Sequence, residues 1–209
     1  MNRDPSIYRI CLVTDRELSG GRSLIDVVGA ALQGGVTMVQ LREKTATTRE
    51  FLEEALALKA LLAPHNVPLI INDRVDIALA VDAEGIHVGQ KDMPVAQVRA
   101  LAPGRIIGLS ITNATQMTGA DTHLCDYLGV GPLYAQQTKP DASTPLGVEG
   151  FAKLRAMTDK PIIAIGGLKA DNSAPVLAAG ADGLAIVSGI VSAADPKAAA
   201  AQFAALFQK

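Results

Sequence analysis

The sequence predicts an α/β protein folded as a single (β/α)8 barrel, the TIM-barrel architecture. Apolar strand segments and amphipathic helical segments alternate eight times along the 209 residues. The strand segments are continuous apolar runs, which is typical of parallel strands that are buried on both faces. The chain shows no linker and no break in composition, and one barrel fits this length. We therefore expect one domain over residues 1–209.

A doubly wound open sheet is the alternative that the same alternation allows. That fold places a glycine-rich, phosphate-binding turn directly after its first strand. Here the first strand ends near Val13, and Gly20-Gly21 follow too late to form that turn. The barrel is therefore the better prediction.

The predicted strands are short runs rich in Val, Ile and Leu that end near Gly, Asn, Asp or Ser. Because these residues favour turns, they mark where each strand passes into a loop. The strands are predicted at residues 8–13, 37–41, 68–71, 85–88, 105–109, 127–130, 161–165 and 183–187.

The predicted helices combine apolar residues at helical spacing with residues that favour helix ends. In the first helix, Ser23 is the expected N-cap and Gly34-Gly35 are the expected stop. Pro94 is expected at the first position of the helix after the fourth strand. The other helices are predicted at 48–62, in a short segment ending at 81, and at 113–120, 148–157, 172–179 and 196–207.

Composition excludes several functional classes. Apolar residues make up 49% of the chain and aromatic residues 3%, so aliphatic side chains must fill the core. A net charge of −2 provides no basic surface for nucleic acid. No apolar segment suits a signal peptide or a membrane span, so we expect a cytoplasmic protein that binds no membrane. Cys11 and Cys125 each fall in a predicted buried strand and are expected to be reduced core residues. The sequence is compatible with a homo-oligomer.

Polar residues cluster at the carboxyl ends of the predicted strands, where barrels of this kind carry their active sites. The second strand runs into Gln40, Arg42 and Lys44. A spacing of two points these side chains the same way if the strand geometry persists. An amide and two cations on one face suit a ligand with several oxyanions, although a solvated strand edge would also explain them.

Asp73 and Asp92 follow the third and fourth strands. Consecutive strand ends are neighbours, so the two carboxylates could converge on one cation. Mg²⁺ prefers one or two carboxylates together with waters and substrate phosphates, and we expect Mg²⁺ here. Capping of the following helices would also explain each Asp, but Asn72 beside Asp73 makes capping redundant.

Glycines follow the last two strands, as Gly166-Gly167 and Ser188-Gly189. Glycine allows close approach of backbone N–H groups to an oxyanion, and this place matches the recurrent phosphate site of the barrel. The segment from 133 to 147 lacks any helix or strand pattern and is expected to act as a lid.

No nucleophile–base pair stands out in the sequence. We interpret His65, His87 and His123 as structural residues. A reaction with a diphosphate leaving group needs no protein nucleophile, because Arg42, Lys44 and Mg²⁺ would stabilise the charge that builds on departure.

With these motifs, the chain resembles the thiamine phosphate synthase family over nearly its whole length. The resemblance implies joining of 4-amino-2-methyl-5-hydroxymethylpyrimidine diphosphate to 4-methyl-5-hydroxyethylthiazole phosphate, which gives thiamine phosphate and pyrophosphate. The implied mechanism is dissociative: diphosphate leaves, and the thiazole nitrogen captures the pyrimidine methyl cation. The segments that carry the resemblance are Gln40-Leu41-Arg42-Glu43-Lys44, Ile71-Asn72-Asp73-Arg74, Gly85-Ile86-His87-Val88-Gly89-Gln90-Lys91-Asp92, Gly129-Val130-Gly131-Pro132 with Thr138-Lys139, and Ile165-Gly166-Gly167.

The resemblance also implies a role for each motif residue. Asp73 and Asp92 would bind Mg²⁺. The residues implied to act in catalysis are Arg42, Lys44, Ser110 and Lys139. Those implied to bind the pyrimidine diphosphate are Gln40, Arg42, Lys44, Asn72, Ser110 and Lys139. Those implied on the thiazole phosphate side are Gln136, Thr138, Gly167, Val187 and Ser188.

Two positions depart from the usual pattern of the family. Gln136 stands where the family usually has Thr, and Thr112 stands where it usually has His. Gln136 still offers an N–H donor to a phosphate, so we expect altered affinity rather than loss of binding.

Three alternatives remain at this point. A thiazole tautomerase on the same barrel would need neither diphosphate nor Mg²⁺, and it has no use for the 40–44 cluster with Asp73 and Asp92. A non-catalytic paralogue that binds thiamine phosphates has only Gln136 and Thr112 in its favour. A sugar-phosphate isomerase or epimerase would need an acid–base pair that we do not find.

Overall fold

Eight parallel strands pair in chain order and close into a barrel, with β8 hydrogen-bonded to β1. The computed structural model describes residues 4–135 and 144–208. The predicted (β/α)8 barrel is confirmed. The open sheet is excluded, because closure leaves none of these strands as an edge.

All eight strands lie within two residues of the predicted bounds. Their sequences are apolar because both faces of a barrel strand are covered. The strands are β1 (Ile10–Val13), β2 (Met38–Leu41), β3 (Leu69–Asn72), β4 (Gly85–Val88), β5 (Ile106–Ile111), β6 (Tyr127–Val130), β7 (Ile162–Ile165) and β8 (Gly183–Ile186).

Helices follow the strands and cover the outside of the barrel. The α-helices are α1 (Leu24–Gln33), α2 (Thr48–Leu62), α3 (Val75–Ala80), α4 (Val95–Leu101), α5 (Ala114–Met117), α6 (Gly147–Arg155), α7 (Ala174–Ala178), α8 (Ser188–Val191) and α9 (Pro196–Ala204). Short 3-10 helices span Pro5–Tyr8, Ala63–His65, Ala120–Leu124 and Ala205–Phe207.

The first two helices begin at polar caps. The side chain of Ser23 accepts a hydrogen bond from the N–H of Ile25, as predicted. At α2, Thr47 and Glu50 form a reciprocal capping box. These caps fix where each helix starts after the loop that carries the functional residues of the preceding strand.

Alternate residues along each strand face two different cores. One set packs between strands and helices and includes Leu12, Val39 and Ile71. The other set fills the interior of the barrel. It consists of Tyr8, Cys11, Val13, Met38, Ile70, Ile106, Tyr127, Ile163 and Ala185.

Several predicted boundaries are wrong for local reasons. Tyr8 lies in a 3-10 helix rather than in β1, because Asp4 caps the N–H of Ser6 and Pro5 starts a helical turn. Pro94 is the residue before α4 rather than its first residue. Ser110 lies inside β5, which continues to Ile111 through its pairing with β6.

The predicted helix at 113–120 is also wrong in length, since it shrinks to α5 and a separate 3-10 helix. Cys125 follows that 3-10 helix and precedes β6. Cys11 and Cys125 are buried free thiols, as predicted, and burial raises the pKa of each to about 12.

The predicted lid from 133 to 147 lies mostly in residues 136–143, outside the described residues. Its two ends are held together by backbone hydrogen bonds. Leu146 donates to the carbonyl of Pro132 at 2.8 Å, and Gly147 donates to the carbonyl of Leu133 at 3.0 Å. The lid function stays a prediction. Among the described helices, none has the length and apolarity needed to cross a membrane.

Candidate active site

The carboxyl ends of the strands bring the predicted site residues to one face of the barrel. Met38 and Ile70 face the interior, so Gln40 and Asn72, two positions further along β2 and β3, face it too. Ser110 lies four positions beyond Ile106 in β5 and faces the interior by the same alternation. Val187 packs against the interior cluster at the end of β8.

Two hydrogen bonds of His87 join Ser110 to the buried Tyr127 inside the barrel. The Nε2 atom of His87 lies 2.9 Å from the hydroxyl of Ser110, and its Nδ1 atom lies 2.9 Å from the phenol of Tyr127. The side chain of Gln40 lies near the phenol. Burial raises the pKa of the Tyr127 phenol well above its ordinary value, and the Gln40 contact opposes that shift.

Arg42 and Lys44 do not continue the inward alternation, because β2 ends at Leu41. The backbone N–H of Arg42 donates to the hydroxyl of Thr14 at 2.9 Å. Its guanidinium lies 3.7 Å from the carboxylate of Asp15, at the end of β1. Arg42 thus stays at the carboxyl face, but it leans towards β1 rather than pointing parallel to Gln40.

Lys44 leans the other way, towards the end of β3. Its ammonium donates to the carboxylate of Asp73 at 2.5 Å. The backbone of Asp73 has a φ of +62°, a left-handed conformation that is uncommon for a residue other than Gly. The N–H of Asp73 donates to the carbonyl of His87 at 2.8 Å, which ties the end of β3 to β4.

Asp92 lies next to Asp73. Burial raises the pKa of the Asp92 carboxyl, a backbone hydrogen bond opposes the shift, and the neighbouring Asp73 adds to it. The opposing bond comes from the N–H of Gly89 at 2.7 Å. The two carboxylates are therefore neighbours at the ends of consecutive strands, and their role as Mg²⁺ ligands stays a prediction.

Neither carboxylate caps a helix. The N-cap residues of α3 and α4 are Arg74 and Pro94, and neither helix has a side-chain cap. The capping alternative is therefore wrong for both Asp73 and Asp92. The described residues contain no cluster of three metal-ligating side chains, but Mg²⁺ needs only one or two carboxylates where substrate phosphates complete its shell.

The glycines after β7 shape the opposite side of the face. Gly166 and Gly167 have φ angles of +106° and +67°. A Cβ at Gly167 would lie 2.8 Å from the Cβ of Tyr134, so only glycine fits at this crossing of two loops. Among the described residues, the N–H of Gly167 has no hydrogen-bond acceptor.

Ser188 and Gly189 open the four-residue helix α8, rather than forming the simple strand-end turn that we expected. Val187 precedes the helix and its carbonyl accepts from Ile190 and Val191. The N–H groups of the first turn of a helix have no partner within it, and those of Ser188 and Gly189 have no backbone acceptor among the residues that the structure describes.

The remaining predicted residues differ in how far the structure describes them. Gln136, Thr138 and Lys139 lie outside the described residues, so their roles stay predictions. The hydroxyl of Thr112 donates to the side chain of Gln116 in α5 at 3.0 Å. Asn72 is the last residue of β3 and is half-buried.

A buried acidic pair behind the 40–44 cluster was not predicted. The side chain of Glu43 is 2% exposed and lies 3.3 Å from Arg16. Arg16 also contacts Glu54 in α2 at 3.0 Å. Burial raises the pKa of Glu54, Arg16 opposes that shift, and Glu43 adds to it. Glu43 and Glu54 are brought together by the way α2 packs on the barrel, and their spacing in the sequence does not indicate it.

Comparison with known proteins decides the family. The sequence matches the profile of the thiamine monophosphate synthase family over residues 10–190. The chain belongs to this family. Thiamine-phosphate synthases from Albidiferax ferrireducens and Chloroflexus aurantiacus are 53% and 52% identical to it; the matches cover 92% and 95% of this chain and 88% and 92% of theirs.

A solved thiamine phosphate pyrophosphorylase from Pyrococcus furiosus has the same fold, with a TM-score of 0.88 at 34% identity. The match covers 97% of this chain and 96% of that one. The chain is therefore an enzyme of the thiamine monophosphate synthase family, a transferase of thiamine biosynthesis. This result removes the non-catalytic alternative.

Proposed function

We propose that the enzyme condenses 4-amino-2-methyl-5-hydroxymethylpyrimidine diphosphate with 4-methyl-5-hydroxyethylthiazole phosphate, giving thiamine phosphate and pyrophosphate. The observation that supports this most is the meeting of Lys44, Asp73 and Asp92 at the ends of three consecutive strands, with Arg42 beside them. Two cations next to an acidic pair suit a diphosphate with a divalent metal. A thiazole tautomerase would use neither.

Asp73 and Asp92 are the residues that would hold Mg²⁺. Their carboxylates are neighbours and cap no helix, so they form a hard-oxygen donor pair at the barrel mouth, held there by Lys44 and by the N–H of Gly89. When bound, Mg²⁺ neutralises negative charge on the leaving diphosphate. The pair thus fits the metal that the family resemblance implies.

Arg42 and Lys44 would bind the diphosphate oxygens. Arg42 is a quarter exposed and Lys44 half exposed, so both cations can reach a ligand at the barrel mouth. Each now contacts a carboxylate of a neighbouring strand end, which holds it at the face. Positive charge in place before the reaction stabilises the negative charge that develops on the diphosphate.

The reaction balances without a protein nucleophile or base. The C–O bond between the pyrimidine methylene group and the diphosphate breaks, and its electron pair leaves with the diphosphate. The thiazole nitrogen then donates its lone pair to the methylene carbon and becomes a thiazolium nitrogen. No proton is transferred, which agrees with the lack of an acid–base pair in the sequence.

Gln40 and Ser110 would hold the pyrimidine ring, because both are polar groups on the inner face just below the cationic cluster. The thiazole phosphate would bind on the opposite side, at Gly167 and Ser188, with Val187 against the ring. We retain Asn72, Gln136, Thr138 and Lys139 as substrate-binding residues on the strength of the resemblance. The proposal keeps the expected cytoplasmic location.

An assay of purified protein with Mg²⁺ and both substrates tests the proposal. Thiamine phosphate and pyrophosphate should appear in equal amounts, and omission of either substrate should abolish both products. Pyrophosphate without thiamine phosphate would indicate hydrolysis of the diphosphate and contradict the proposed condensation.

A further inference from the structure

Glu43 lies in the chain between the two cations that we assign to the diphosphate, but its side chain is buried. It is 2% exposed, whereas Arg42 is a quarter exposed and Lys44 half exposed. One of its carboxylate oxygens, Oε1, has no hydrogen-bond partner among the residues that the structure describes. A buried carboxylate oxygen without a donor is costly, so packing alone does not explain a Glu at this position.

Arg16, in the loop after β1, holds the other oxygen of Glu43. Its Nε atom donates to Glu43 Oε2 at 3.3 Å, and its Nη2 atom donates to Glu54 of α2 at 3.0 Å. The planar guanidinium has donors in a fixed fork, so it can bind two carboxylates at once. Arg16 therefore links Glu43 to the helix that follows it in the chain.

The backbone of residues 43–46 has little support of its own. Among the described residues, the four N–H groups of this segment have no hydrogen-bond acceptor. The nearest backbone donors that are bonded lie on either side of it, where Arg42 donates to the hydroxyl of Thr14 and Thr47 donates to the carboxylate of Glu50. The conformation between these two points therefore depends on side-chain contacts.

Three ion pairs hold the side chains of residues 42–44, and they differ in what a substrate would do to them. Arg42 pairs with Asp15 and Lys44 pairs with Asp73. A bound diphosphate would compete for both of these cations. The ion pair of Glu43 involves neither cation, so it can hold the segment both before and after the diphosphate binds.

We propose that Glu43 is a positioning residue: bound through Arg16 to Glu54 of α2, it fixes the backbone between Arg42 and Lys44 and keeps both cations in place for the diphosphate. The inference rests on the proposed function, since it takes Arg42 and Lys44 as the residues that bind the diphosphate. Cations that are ordered before binding lose less conformational freedom when the ligand arrives.

Charge and position predict effects of opposite sign when Glu43 is replaced. Removal of a negative charge beside two cations should by itself strengthen the binding of an anion. Loss of the contact with Arg16 should weaken that binding, because two long side chains must then be ordered as the anion binds. The sign of the change in pyrophosphate affinity therefore distinguishes a positioning role from a simple effect of charge.

Glu43→Met tests the inference, because it keeps a side chain of similar volume and removes both carboxylate oxygens. Calorimetry measures the binding of pyrophosphate to the Mg²⁺-loaded protein and, separately, the binding of the thiazole phosphate. Thermal unfolding reports any loss of stability. We expect roughly tenfold weaker binding of pyrophosphate, the cost of ordering two long side chains. The affinity for the thiazole phosphate should stay as in the wild type.

Glu53→Gln is the matched control for the lost charge, since Glu53 lies on the exposed face of α2. It should leave the affinity for pyrophosphate unchanged. Glu43→Gln keeps an oxygen that can accept from Arg16 but loses the strength that charge gives to that bond. Its affinity for pyrophosphate should fall between those of the wild type and Glu43→Met. If Glu43→Met does not fold, the sign of the change in Glu43→Gln decides the question.

The outcomes separate the two proposals. Binding of pyrophosphate by Glu43→Met that equals or exceeds that of the wild type would overturn the inference and leave the proposed function intact. A lower melting temperature with unchanged pyrophosphate affinity would show a merely structural role, and so would equal weakening for both ligands. Either result would overturn the inference. A wild type that binds no pyrophosphate in the presence of Mg²⁺ would overturn both proposals.

Discussion

Lys44 donates a 2.5 Å hydrogen bond to Asp73, so an ammonium group lies within the acidic pair that we assign to Mg²⁺. The contact joins the ends of β2 and β3. Lys44 can therefore pair with two anions, the Asp73 carboxylate and the diphosphate. Mg²⁺ competes with Lys44 for the Asp73 carboxylate. This competition predicts how Mg²⁺ binding changes when Lys44 is replaced.

Lys44→Ala should strengthen Mg²⁺ binding in the absence of diphosphate, while it slows turnover. Removal of the ammonium removes its repulsion of the metal, which we expect to be worth roughly fivefold at this exposed position. Calorimetric titration with Mg²⁺ measures the change. Lys91→Ala is the matched control, because Lys91 is exposed in the next loop and has no ion pair among the described residues. Weaker Mg²⁺ binding by Lys44→Ala would contradict the competition.

Asp92→Ala should act in the opposite direction. Loss of a ligand should weaken Mg²⁺ binding by about tenfold or more, since even outer-shell partners are worth that much. The Mg²⁺ concentration that gives half-maximal turnover is the quantity to measure. Glu53→Ala, on the exposed face of α2, controls for the loss of one negative charge. A normal Mg²⁺ titration of Asp92→Ala would rule out its role as a ligand.

Arg42→Ala should weaken pyrophosphate binding by about 1.5–3 kcal/mol, the usual range for a hydrogen bond to a charged group. The thiazole phosphate should bind as before, because the predicted site for that ligand lies across the barrel mouth. Arg42→Lys keeps the charge but loses the forked donor geometry. Its affinity for pyrophosphate should therefore fall between those of the wild type and Arg42→Ala. Equal affinity of wild type and Arg42→Ala for pyrophosphate would remove Arg42 from the site.

Glu54 gives the enzyme a pH-dependent cost in stability. Burial raises its pKa above the value of 4.5 that it has in an exposed state. A raised folded-state pKa contributes stability below the unfolded-state value, and that contribution is lost as pH rises through the folded-state pKa. Glu54→Gln should therefore raise the melting temperature relative to wild type by more at pH 8 than at pH 4.

The ion pair with Arg16 is also lost in Glu54→Gln, but Arg16 is half exposed and such pairs contribute little. Thermal unfolding of both proteins across that pH range provides the comparison. A difference in melting temperature that is the same at every pH would mean that Glu54 titrates normally.

The sequence predicts the barrel and most of the inner face because both depend on local rules. Alternation along a strand places Gln40, Asn72 and Ser110 inward once the barrel is assumed. The strand order then makes the ends of β3 and β4 neighbours, which is why Asp73 and Asp92 meet. Those predictions needed no knowledge of side-chain packing.

Other features depend on contacts that no spacing encodes. The bond between Tyr127 and His87 links β6 to β4 inside the barrel, and Gly108 and Gly129 leave room for the two rings. We interpreted His87 as structural from its place in mid-strand, yet it contacts a predicted site residue. The direction of Arg42 and Lys44 was also mistaken, because strand geometry ends at Leu41.

Turnover of metal-free enzyme on addition of Mg²⁺ tests the central claim most directly. The protein is treated with EDTA, both substrates are supplied, and thiamine phosphate is followed as Mg²⁺ is restored. We predict no product without the metal and full recovery with it, in step with pyrophosphate release. Product formation at the full rate in EDTA would contradict the account of a diphosphate held by Mg²⁺ at Asp73 and Asp92.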